Sequence, residues 1–123
     1  MAFAAEILVT LLGAGFGAVL RYALGGWANY RLGPEFPWGT LVVNVAGCFA
    51  LGLLTGAAPH DGVLLFVLGK GIIAGFTTFS TLMLETLNLA LSKEHDRAFF
   101  NVVGSLSLGL GAFALGTYLG AAV

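Results

Sequence analysis

Four apolar stretches, each long enough to cross a bilayer, leave this chain little else with which to fold. They run over about residues 3–26, 38–57, 62–91 and 98–122, and a spanning helix needs roughly 20 mostly apolar residues. Hydrocarbon offers a backbone no water to bond with, so each stretch must pair its own N–H and C=O groups, which selects helices. The expectation is one all-α membrane domain over residues 1–123 with four transmembrane helices. Charge usage agrees: 9% of residues are charged and 59% hydrophobic, whereas soluble domains carry about 25% charge. The first stretch has Glu6 near its start, no basic leader and Arg21 near its end, so it reads as a retained helix rather than a cleaved signal.

Several function classes lose ground here. A net charge of -1 with no basic run argues against nucleic acid as a partner. The one cysteine, Cys48, cannot form an intrachain disulfide. His60 and His95 fall in polar connectors and no G-x-S-x-G turn occurs, so neither a metal cluster nor a hydrolytic site is read and the chain is not taken for an enzyme.

The connectors are short. Residues 27–37 contain Gly33, Pro34 and Pro37 with Trp27, Tyr30 and Trp38 as interfacial anchors. Residues 58–61 form a Pro-containing turn and 92–97 a charged one, giving an up-down bundle. Arg31, Lys93 and Arg97 share a side, with Arg21 close by, against Lys70 on the other, which favours cytoplasmic first and third connectors. Nineteen glycines include Gly13 with Gly17, Gly52 with Gly56, Gly71 with Gly75, and Gly116 with Gly120. These small-xxx-small pairs allow close backbone approach in lipid.

Polar groups inside the spans must face protein or water. Arg21 continues the line of Gly13 and Gly17 and is either a snorkelling anchor or part of a pore mouth. In the second helix Thr40, Asn44 and Gly47 or Cys48 share a face, with Asn44 near mid-depth as structural glue or solute contact. In the fourth, Asn101, Ser105 and Gly109 recur every fourth residue, so helices two and four could wall one path.

The third helix is the informative one. Unbroken from 62 to 91 it would measure about 45 Å at 1.5 Å per residue, against a hydrocarbon core of about 30 Å. Its run Gly75-Phe76-Thr77-Thr78 weakens helix and supplies hydroxyls for freed backbone groups, so a break near the middle is expected, with carbonyls able to hold a cation. Beyond it Thr78, Thr81 and Glu85 share one face and Phe79 and Leu82 another. Hydroxyl, amide and guanidinium donors beside the positive edge of a ring suit a small, hard anion. The bland alternative for Phe79 is helix packing.

With these residues in view, "GAGFGAVLRY", "GTLVVNVAGCFALG" and "GIIAGFTTFSTLMLE" resemble, in order and across nearly the whole chain, the signatures of the CrcB/Fluc family of fluoride channels. The resemblance implies an antiparallel, dual-topology dimer of four-helix subunits in the bacterial inner membrane. It would export fluoride passively through two pores, each lined by both chains. By position, Asn44 would meet fluoride, Phe79 would present its ring edge, and Thr78, Ser80, Thr81 and Ser105 would line the pore. Glu85 and Arg21 would lie toward its ends. Backbone carbonyls of Ala74 and Thr77 would hold a structural Na⁺ at the dimer axis.

Three positions depart from the family pattern: Leu82 replaces a second Phe, Ala74 replaces a Gly, and Asn101 stands where a Tyr is expected. The Lys and Arg bias keeps open a paired homologous subunit beside the homodimer. The alternative function is a small multidrug-resistance type proton-coupled efflux transporter, which needs a mid-depth Glu in helix one. A third is an accessory membrane subunit without transport.

Overall fold

The computed structural model describes residues 2–57, 62–63 and 65–123. The second connector, residues 58–61 with His60, lies outside them. All regular elements among the described residues are helical: α1 (Phe3–Leu32), α2 (Trp38–Ala57), a π-helical segment (Leu65–Ile73), α3 (Ala74–Phe76), α4 (Ser80–Leu91) and α5 (His95–Ala121). Taking Leu65–Leu91 together, four spans are long and apolar enough to cross a membrane, with mean hydropathy between 1.5 and 2.0.

The first helix runs past residue 26, where the sequence pattern ends it. Gly25 and Gly26 are tolerated inside it, and a Cβ at Gly25 would sit 3.6 Å from Val43 of α2, so the gap is filled by a neighbouring helix. Termination comes instead at Gly33, whose φ of +96° suits glycine and whose N–H bonds the Asn29 carbonyl at 3.0 Å. Pro34 then prevents continuation. The third connector closes as a Schellman-type cap: Lys93 takes φ 62°, the Glu94 N–H bonds the Leu89 carbonyl at 2.9 Å and the Lys93 N–H bonds that of Ala90 at 3.0 Å. This cap lets α5 start at His95 rather than near residue 98. The first and third connectors meet, with Arg97 bonded to Glu94 at 2.7 Å and 3.9 Å from Glu35 and the Phe36 and Phe100 rings edge to face at 5.8 Å.

Glycine pairs set which helices touch. On one side α1 packs on the π-helical segment and α3. A Cβ on Gly13 would lie 3.2 Å from the Gly71 Cα, one on Gly75 2.6 Å from the Ala14 Cα, and one on Gly17 would run into the Ile72 carbonyl. On the other side α2 and α5 make the most extensive helix pair. There Gly52 and Gly56 face the Phe113 and Thr117 carbonyls, while Gly116 and Gly120 face those of Phe49 and Leu53. All four pairs read from the sequence work within the chain. The third span is thereby shared: its first half leans on α1, and α4 leans on α5.

Candidate functional site

Helical hydrogen bonding is redirected around residues 77–79. Thr77 is extended, φ −81° and ψ 158°, and α4 begins only at Ser80. The Thr78 N–H, which in a continuous helix would bond the Ala74 carbonyl, instead donates to the Asn44 side-chain oxygen at 2.8 Å. The Asn44 amide returns a bond to the Thr78 carbonyl, also at 2.8 Å. The Thr81 N–H, which would serve the Thr77 carbonyl, donates to the Thr78 hydroxyl at 3.2 Å. Side chains have thus taken the N–H partners of two carbonyls, those of Ala74 and Thr77. Such oxygens are hard, neutral donors suited to an alkali cation. Ala74 is exposed on the chain's surface, and positive φ among non-glycine residues occurs at Lys93, so alanine at 74 carries no backbone strain.

Thr78 itself is buried. Its hydroxyl donates to the Thr81 hydroxyl at 3.1 Å and lies 3.3 Å from that of Ser80. It also borders two cavities. One, of about 350 Å³, is lined by Asn44, Phe79, Leu82 and Ser105 among others. The second, of about 240 Å³, brings together Arg21, Thr40, Thr78 and Thr81. Glu85 lines a third space of about 510 Å³ beside the first and third connectors, and its carboxylate accepts a hydrogen bond from Thr40.

The donors are unevenly used. The Asn44 amide carries two hydrogens, and the Thr78 carbonyl takes one. The Ser105 hydroxyl is buried without a partner among the described residues. The Thr81 hydroxyl receives from Thr78 and keeps its own hydrogen to give. Two cavities on either side of Thr78 are therefore lined by groups with donor capacity to spare, which is a chemistry for anions. Phe79 is 68% exposed on the single chain, whereas Leu82 is only 4% exposed. The two residues of the expected ring face differ because Phe79 precedes the first turn of α4 and Leu82 lies within it.

Asn101 falls elsewhere. It is 0% exposed, borders none of these three cavities, and donates to the Thr86 hydroxyl at 2.9 Å, which in turn donates to the Leu82 carbonyl at 2.7 Å. Of the polar stripe read on the last helix, Ser105 reaches the Asn44 cavity and Asn101 ties α5 to α4. Sequence reasoning missed Asn29, which borders both the Arg21 cavity and the Glu85 space; its place in a connector-like run rich in Gly, Pro and aromatics gave no signal.

These features define a small multi-pass membrane protein with its polar groups gathered at the middle of its third span. A family model described as "CrcB-like protein, Camphor Resistance (CrcB)" matches residues 8–117. The chain belongs to the CrcB family. It is 66% identical over 117 residues to "Fluoride-specific ion channel FluC 1" of Rubrobacter xylanophilus, covering 95% of this chain and 94% of the relative. Relatives named "Fluoride-specific ion channel FluC" from Opitutus terrae and Thermus thermophilus are 46% and 44% identical, over 89% and 94% of this chain and 87% and 94% of theirs.

Proposed function

We propose that the protein is a fluoride-selective passive channel of a bacterial cell membrane that lets cytoplasmic fluoride leave. The observation that carries this reading is the Asn44–Thr78 clamp, which holds the polar middle of the third span open while leaving amide and hydroxyl donors to the cavities beside it. The names of the relatives supply the ion. In acid surroundings neutral HF enters and ionises inside, so a passive fluoride path suffices to empty the cell.

In this reading the third span works as a broken helix. Fluoride passes Asn44, the Phe79 edge, Ser80, Thr81 and Ser105, with Thr78 between the two cavities and Arg21 and Glu85 toward the ends. The positive edge of a Phe ring attracts an anion, so one ring per chain supplies less attraction than two, and Leu82 fills its place with packing. The transporter alternative lacks its mid-depth carboxylate in helix one, because Glu6 stands in the first turn of α1.

The working unit is an antiparallel dimer, of two copies or of this chain with a paired homologue. The exposure of Phe79 and Ala74 supports a covering partner. Ala74 and Thr77 would hold a structural Na⁺. Two carbonyls per chain are few for a cation that prefers several oxygens, and a second copy across a twofold axis doubles them. When bound, the ion would offset the partial charges of the freed oxygens and join the chains.

The test is efflux from liposomes followed with a fluoride electrode. Fluoride is expected to leave while chloride is retained, and Phe79→Ile is expected to slow efflux by about tenfold, equivalent to about 1.4 kcal/mol. Equal loss of both anions, or none of either, sinks the reading. Separately, replacing Na⁺ by N-methylglucamine is expected to lower the melting temperature of the purified dimer, since an ion that binds only the folded form stabilises it by mass action. An unchanged melting temperature counts against the cation seat.

A further inference from the structure

The cavities described above adjoin one another at residues they share. Thr78 borders both the Asn44 and the Arg21 cavities, and Asn29, near the end of α1, borders both the Arg21 cavity and the larger space beside the connectors. The junction between these last two is flanked by a second pair, Thr40 on the Arg21 side and Glu85 on the other, joined by a hydrogen bond. An anion passing between these two spaces therefore meets a carboxylate, and a donor there must offset it. Thr40 spends its hydroxyl hydrogen on Glu85, so it has none left to offer.

Among the described residues Asn29 is the one that lines both of these spaces, and its side chain is polar. Its oxygen accepts the Gly39 N–H at 2.7 Å, satisfying one of the four unpaired N–H groups at the start of α2. This fixes which way the amide faces: the oxygen is committed and the nitrogen, with its two hydrogens, is left as a donor. Among the described residues that nitrogen has no acceptor. Gly39 permits the arrangement, since a Cβ there would lie 2.7 Å from the Asn29 amide nitrogen.

We infer that Asn29 is an anion-binding residue at the junction, its oxygen anchoring α2 and its NH₂ donating to the ion that passes Glu85. The inference rests on the channel reading. It assigns the two ends of one amide to two tasks, and the tasks separate by substitution. Asn29→Asp keeps an acceptor for the Gly39 N–H and removes the donor. Asn29→Ala removes both, at an exposed helical position where alanine retains the helix.

The experiment measures fluoride efflux from liposomes for the parent and both variants, with melting temperatures of the same preparations. The expected result is a fluoride rate at least tenfold lower in both variants, with the parental melting temperature kept by Asn29→Asp and lowered in Asn29→Ala. Asn29→Asp passing fluoride within twofold of the parent overturns the inference. So does a slow Asn29→Asp beside an Asn29→Ala at the parental rate, which would trace the effect to the added charge. A parent that passes no fluoride would instead defeat the channel reading itself.

Discussion

Asn44→Ala is expected to remove fluoride efflux almost completely and to destabilise the protein at the same time. The substitution deletes both bonds to Thr78 and leaves a backbone N–H and a carbonyl unpaired within the span. Each unpaired buried group costs about 1–3 kcal/mol, so the local geometry loses roughly 2–6 kcal/mol of support. At 1.4 kcal/mol per tenfold, even the lower figure depopulates the open arrangement by more than about tenfold, and the donor to the ion is lost as well. Efflux from liposomes and thermal unfolding in detergent check the two halves. An Asn44→Ala protein that melts and conducts like the parent would show that the clamp is incidental.

The second large effect is steric. Gly17→Leu is expected to separate α1 from the third span and to leave little monodisperse protein, whereas Gly15→Leu, two residues away, is expected to be well tolerated. At Gly17 even a methyl group meets the Ile72 carbonyl and stands 2.8 Å from the Phe76 N, while at Gly15 nothing lies within 4 Å. Overpacking in a well-filled interior typically costs about 1–3 kcal/mol, and here main-chain atoms would have to give way. Leu at 15 is placed in open space on the single chain. Size-exclusion profiles and melting temperatures decide it, and equal behaviour of the two variants would refute the packing account.

The four spans and their small-residue seams were legible because both follow from one-dimensional patterns: twenty apolar residues per span, and glycines four apart on one face. That Thr78 and Thr81 share a face was legible from the same spacing rule, but that Arg21 of another helix borders the same cavity was not. What did not show in the pattern depends on which partner a side chain meets. Asn44 and Asn101 carry the same amide in similar apolar surroundings, yet Asn44 holds the backbone of the third span and Asn101 ties two helices through Thr86. Spacing assigns a residue to a face but does not say what atom stands opposite. The end of α1 differs for a related reason: the apolar pattern stops near residue 26, but the helix runs on to Leu32 with α2 packed beside Gly25. The π winding over Leu65–Ile73 and the double role of Asn29 had no local signature either.

The freed oxygens at positions 74 and 77 have a genetic consequence. They belong to the main chain, so changing either side chain leaves the oxygen in place. A mutational scan of the segment would therefore look past its own donor atoms and register their loss at a distance, at Asn44 and Thr78, whose side chains hold the N–H groups that would otherwise reclaim them. The positions that matter for those oxygens are not the positions that bear them.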